Sequence, residues 1–258
     1  MTDFLHQALD DRGVLHLTLN RPEKSNAFDD ELIRELIIEL KEAAETPEVR
    51  MIQLQGSGRH FCAGADVCYM QRMVHFDYGE NVTDARQLAE LMNTLYRMPQ
   101  PTLAVVQGAA YGGGAGLVAC CDMVIASDHA QFCFSEVRIG LVPANMSPYV
   151  IRAIGERQAR RYFLSAEIID AHQALQIGLV HKVVPDLQLA GAARNWADGL
   201  LANVQSAVLA AKDLIVSIGD HPINDSLMDE TSDRIARIRV SESGQAGMKA
   251  FINKRKKR

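Results

Sequence analysis

Glycines crowd the stretch Gly108, Gly112, Gly113, Gly114 and Gly116, and an acid, Glu136, follows them. Glycines that open a helix leave its first N–H groups uncovered, where the helix dipole favours negative charge. Amides exposed in this way stabilise an oxygen that gains charge in a transition state. A carboxylate nearby adds a general acid or base. Taken alone, the glycines equally permit close packing of backbones. A dinucleotide fingerprint is excluded, because Leu117 stands where G-x-G-x-x-G requires its third glycine. No Gly-Lys-Ser/Thr follows, so a Walker-type phosphate loop is excluded as well. Ser135 lies in no G-x-S-x-G elbow. The histidines form neither H-x₃-H nor H-E-x-x-H, and no metal is expected.

These groups need a frame. Gly13 to Leu19 alternates like a strand and ends at the turn signal Asn20-Arg21-Pro22. Asp29 or Asp30 caps a helix on which Leu32, Leu36, Leu40 and Ala43 share one face. Val49 to Gln55 reads as a second strand. Tyr69 to Thr83 is mixed and irregular, and reads as a mobile or a substrate-shaping segment. Ala85 to Met98 follows as a helix that Pro99 and Pro101 end. Thr102 to Val106 and Met123 to Ala126 read as strands on either side of the glycine stretch, with a short extended piece at Ala130 to Phe134. From Ser147 onward helical spacing dominates, interrupted by one late strand at Leu179 to Val184. Strands alternating with helices, then a helical end, make an α/β chain.

The 258 residues and 48% apolar content allow a substantial core. A formal charge of -5 argues against a general nucleic-acid binder. The basic run Lys254 to Arg258 is read as a solvated tail, with a phosphate contact as the sharper alternative; RNA binding is not expected. Cys62, Cys68, Cys120, Cys121 and Cys133 contain no Cys-x-x-Cys pair and are read as buried thiols in a reducing, cytoplasmic setting. No segment reaches the roughly 20 apolar residues of a membrane helix.

Three ordered strings carry a resemblance: Phe61-Cys-Ala-Gly-Ala-Asp66, then Gln107-Gly108 through Gly112-Gly-Gly-Ala-Gly-Leu117, then Gln131-Phe-Cys-Phe-Ser-Glu136-Val-Arg-Ile-Gly140-Leu-Val-Pro143. Their succession resembles the crotonase, or enoyl-CoA hydratase/isomerase, family from Arg21-Pro22 to Lys254. The resemblance implies a crotonase-like spiral of ββα turns over residues 1–195. It also implies a C-terminal helical region over 196–258 that completes the CoA site and packs a homotrimer or hexamer. Coenzyme A enters as part of the thioester substrate, with no permanently bound cofactor. The N–H groups of Ala65 and Gly113 are implied as the oxyanion hole, with a side chain at Gly113 expected to crowd the thioester or disturb the amide. Ala63 is placed at the adenine end of CoA, Lys24 near its phosphates, and Phe251 and Lys254 against a CoA held by a neighbouring subunit. Asp66 is counted with the binding residues and is expected to anchor its loop through amide hydrogen bonds.

Glu136 matches the second of the family's two glutamates, and Gly116 stands where the first would be. The expected activity is reversible hydration of an α,β-unsaturated acyl-CoA. A one-glutamate double-bond isomerase and a catalytically weak acyl-CoA binder are the alternatives. The string from Gly116 to Gly155 is similar to bacterial methylglutaconyl-CoA hydratase-type proteins, which implies a branched or carboxylated acyl group such as 3-methylglutaconyl. Arg72, Arg138 and Asn145 are candidates to meet its extra anion, and Met70, Met73 and Met146 to line the acyl pocket.

Overall fold

The computed structural model describes residues 4–219 and 221–256. The chain divides into two compact units, one through Ala197 and one from Asp198. The first begins with β1 (Leu5–Leu9) and β2 (Val14–Leu19), paired antiparallel, then α1 (Asp30–Glu45) and β3 (Met51–Gly56). Asp29 caps α1 by accepting the Leu32 N–H, and Leu32, Ile33, Leu36 and Leu40 are buried. Each such side chain removed from water stabilises the fold by about 1.5–3 kcal/mol.

After β3 come α2 (Val67–Met73) and α3 (Tyr78–Tyr96). The expected irregular segment from Tyr69 to Thr83 is therefore mostly helical. The signal for it was local: Asp77 accepts the Glu80 N–H while the Glu80 side chain accepts the Asp77 N–H, a reciprocal cap that starts α3. Next are β4 (Thr102–Val106), β5 (Ala109–Tyr111), α4 (Gly113–Cys120), β6 (Met123–Ser127), β7 (Gln131–Cys133) and α5 (Ser147–Ser165). The first unit closes with β8 (Ile169–Asp170), α6 (Ala171–Gln176), β9 (Lys182–Val184) and the start of α7 (Leu189–Leu201).

β1-β2-β3-β4-β6-β9 form one sheet and β5-β7-β8 a second. β4 pairs parallel with β6, and β5 pairs parallel with β7. The turns β4-β5-α4 and β6-β7-α5 thus each give one strand to each sheet before a helix, in keeping with the expected ββα spiral. Four of the five thiols are buried as expected, and burial pushes Cys62 up to about 12. Cys68 departs from that expectation and is exposed. Cys68 sits at the start of α2 on its outer side.

The second unit holds the end of α7, then α8 (Gln205–Ile218), α9 (Asp225–Val240) and α10 (Glu242–Lys256). The basic end is not a frayed tail as far as it is described, since α10 carries Lys254 and Arg255; residues 257–258 lie outside the described residues. Phe251 and Lys254 are exposed, and the Arg255 guanidinium lies 5.1 Å from the Phe251 ring centroid. Among the described residues no single helix is long and apolar enough to cross a membrane.

Candidate active site

The loop after β3 is pinned to the strand pair beside it. Phe61 N–H donates to Gln107 O at 2.8 Å and Cys62 N–H to Ala109 O at 3.0 Å. Phe28 N–H donates to Gly64 O and Asp66 N–H to Phe28 O, each at 2.9 Å. Ala65 sits between these bonds, and its own N–H has no acceptor among the described residues.

Asp66 holds the loop from below. One carboxylate oxygen accepts the Cys68 N–H at 2.7 Å and the Tyr69 N–H at 3.3 Å, capping α2. The other accepts from Arg21 Nη2 at 3.0 Å and Lys24 Nζ at 2.8 Å. Arg21 is buried and also donates to Ala27 O at 3.1 Å and to Asp29 at 2.7 Å. Lys24 is the main cause that holds the Asp66 carboxyl below the usual range, against its burial. Asp66→Asn is expected to destabilise the protein by about 3 kcal/mol, since it uncouples a buried ion pair; urea unfolding at pH 7 measures this. A folded-state pKa below the unfolded one gives stability that is present above the unfolded value and lost as pH falls through the folded value. The gap between wild type and variant should therefore close in acid, below the ordinary carboxylate range.

Gly112, at φ +51°, turns β5 into α4, a conformation L side chains rarely adopt. Its N–H donates to Cys133 O at 2.8 Å, and Gly116 N–H returns to Gly112 O at 3.1 Å. The N–H groups of Gly113 to Ala115 are the uncovered donors of the helix start. A methyl at Gly113 would stand 2.3 Å from Phe28 Cζ. This buried ring is itself enough to require glycine there.

Glu136 opens a short 3-10 turn, Glu136–Ile139. Its Oε1 lies 3.2 Å from where a Gly112 Cβ would stand, and its Oε2 is buried with no hydrogen-bond partner. Burial pushes the carboxyl up from its ordinary value, which makes it a weaker acid and a stronger base than a solvated glutamate.

Ala63, Ala65, Gly113 and Glu136 line one cavity of about 530 Å³, together with Met70, Met73, Asn145 and Met146. The three methionines named as acyl-pocket candidates all reach its wall. The sequence reading missed Phe28 and Asp84, which also line it, as does Tyr69 at the start of the segment read as mobile or substrate-shaping. Lys24 and Asp66 do not: they are joined to each other in the loop's support. Arg72 and Arg138 are also off the wall. Arg72 pairs with Asp30, and Arg138 donates to Ala166 O. Gly116 is a further correction, because it does not open onto the cavity. A Cβ there would meet Met146 Cβ at 2.8 Å and Met92 Cε at 3.0 Å, so thioether side chains fill the place of the first glutamate. No lysine, arginine or histidine is among the cavity's lining residues. On the loop from Gly140 to Met146, the N–H groups of Val142, Asn145 and Met146 have no acceptor among the described residues.

Two uncovered amides and a carboxyl with one unpartnered oxygen on one cavity wall suit chemistry that drives charge onto a carbonyl oxygen while a proton moves at a neighbouring carbon. The enoyl-CoA hydratase/isomerase family model matches residues 10–258. A solved enoyl-CoA hydratase from Shewanella pealeana ATCC 700345 is 43% identical, with TM-score 0.93, over 97% of this chain and 94% of that one. The 2,3-dehydroadipyl-CoA hydratase of Escherichia coli (strain K12) is 32% identical over 94% of this chain and 93% of its own. The crotonyl-CoA hydratase of Syntrophomonas wolfei is 31% identical, over 93% of this chain and 92% of its own.

Proposed function

The chain belongs to the enoyl-CoA hydratase/isomerase family and is an enoyl-CoA hydratase; on that premise we propose that its substrate carries a branched or carboxylated acyl group, such as 3-methylglutaconyl-CoA. The observation that carries the site reading is the sharing of one cavity by Ala65, Gly113 and the half-buried Glu136, whose Oε2 has no hydrogen-bond partner. The thioester oxygen accepts from both amides. Glu136 positions water for the β-carbon and transfers a proton at the α-carbon. A distal carboxylate would meet the N–H groups of Val142, Asn145 and Met146, since no cationic side chain lines the wall. The name of the E. coli relative specifies a dicarboxylic acyl group, which supports that choice.

Ala63 contacts the adenine end of CoA. Lys24, which is 44% exposed, exchanges its Asp66 partner for a CoA phosphate. Phe251 and Lys254 meet a CoA held by a neighbouring copy in a trimer or hexamer. The setting is cytoplasmic, in the breakdown of a branched carbon skeleton such as that of leucine. Double-bond isomerisation is the second reading, favoured by the methionines that occupy the place of the α4 acid.

Crotonyl-CoA, 3-methylcrotonyl-CoA and 3-methylglutaconyl-CoA, each supplied in water enriched in oxygen-18, test the reading. Labelled hydroxyacyl product is expected, with kcat/KM about 10-fold or more higher for a branched or carboxylated thioester than for crotonyl-CoA. A matched β,γ-unsaturated thioester that shifts its bond while no oxygen-18 enters any product would overturn hydration. Preference for crotonyl-CoA would overturn the substrate class.

A further inference from the structure

Besides Glu136, one other carboxylate lines the cavity among the described residues, and α3 supplies it: Asp84. We propose that Asp84 is the second acid–base group of the hydration site, holding the attacking water from α3 where α4 has only Gly116. The inference rests on the hydratase reading above and deepens it.

Water must arrive with a lone pair on the β-carbon and both hydrogens accounted for. One carboxylate fixes a single hydrogen; a second acceptor fixes the other and so the attack direction. Tyr69 O–H donates to Asp84 Oδ1, while Oδ2 has no protein partner among the described residues. Burial, with Asp84 beside it, pushes the Tyr69 phenol up, so Tyr69 stays a donor. Tyr69 is itself immobilised. It is 3% exposed, its N–H donates to Asp66, and the Arg72 guanidinium lies 5.3 Å from its ring centroid. Asp66 thus supports both the loop that aims the Ala65 N–H and the turn that carries Tyr69. On the other side, Asn145 Nδ2 donates to Ala85 O at 2.9 Å, tying the residue after Asp84 to the cavity loop.

In the step itself the water oxygen bonds to the β-carbon, and one O–H bond breaks with its proton passing to Asp84. The π electrons move to the thioester oxygen between the two amides. The enolate then takes a proton at the α-carbon from the Glu136 carboxyl. Return of one proton from Asp84 to Glu136 through solvent restores the starting state.

Asp84→Asn separates the two acids. Hydration of crotonyl-CoA and 3-methylglutaconyl-CoA is followed by loss of the conjugated thioester absorbance. Exchange of the α-hydrogens of butyryl-CoA in deuterium oxide, followed by NMR, needs Glu136 alone. Asp84→Asn is expected to lower hydration about 100-fold or more while exchange stays near the wild-type rate; Glu136→Gln loses both. Tyr69→Phe, which leaves Asp84 in place but unfixed, gives an intermediate loss of hydration with exchange kept, and serves if Asp84→Asn does not fold. Asp84→Glu recovers part of the hydration. Wild-type hydration in Asp84→Asn, or equal loss of both reactions, overturns the assignment. Wild-type protein that exchanges butyryl-CoA but hydrates neither thioester overturns the hydratase reading itself, and Asp84's part with it.

Discussion

Glu136→Gln is expected to lower turnover about 10³-fold while thioester binding and the fold are kept. The amide has the size of the carboxyl it replaces but neither gives nor takes the proton. Its effect on stability should run the other way from its effect on rate. A carboxyl whose folded pKa is raised gives stability that is full below the unfolded value and is lost as pH rises through the folded value. Above that value wild type carries a half-buried charge that the variant lacks. The variant should melt at or above the wild-type temperature at pH 8, and the advantage should vanish at pH 4. A variant with near-wild-type turnover, or one that melts well below wild type at pH 8, contradicts the role given to this side chain. The combination is the trade expected where an active site is kept less stable than the fold allows.

Gly113→Ala carries the second large effect. Its methyl would stand 2.3 Å from Phe28 Cζ, and Phe28 is only 4% exposed and bonded through its backbone to Gly64 and Asp66. The ring and the start of α4 must separate, and the oxyanion donor shifts with the helix start. Loss of one such donor lowers kcat about 10²–10³-fold, and overpacking costs about 1–3 kcal/mol of stability. Because Phe28 also bridges to the Ala65 loop, the substitution disturbs both halves of the hole. Adding Phe28→Leu to Gly113→Ala should restore part of the rate, a coupling that a double-mutant cycle reads as non-additivity. Strict additivity of the two changes would show that the ring is not what requires glycine at 113.

The contribution of α4 was legible in the chain because backbone chemistry leaves a local mark: glycine at a helix start can be read from neighbouring residues alone. Glu136 was picked out by the resemblance of its string to the family. The strands before and after the glycines were legible for the same reason as α4, as was a cap at Asp29 or Asp30, a place that Asp29 takes. The rest of the wall was not. Tyr69 and Asp84 lie in a stretch whose apolar pattern is weak, because α3 faces water over most of its first turns. Its start was written only in Asp77 and Glu80, a polar signal that hydrophobic periodicity ignores. Gly116 misled for a different reason. A missing acid reads as open space in a string of letters, whereas Met92 and Met146 arrive there from distant parts of the chain. Asp66 was expected to anchor its loop through amides and does so, while Lys24, placed near the ligand by resemblance, also pairs with Asp66.

The methionines behind Gly116 have a consequence for how this sequence can change. An acid cannot be reinstated on α4 by one replacement, because Met146 and Met92 would first have to shrink or turn aside. Each of those steps taken alone leaves a void that costs about 2–5 kcal/mol and brings no catalytic return. The protein is therefore held in its present arrangement by packing. Relatives with an acid at this point are separated from it by a valley of less stable intermediates, not by a single codon.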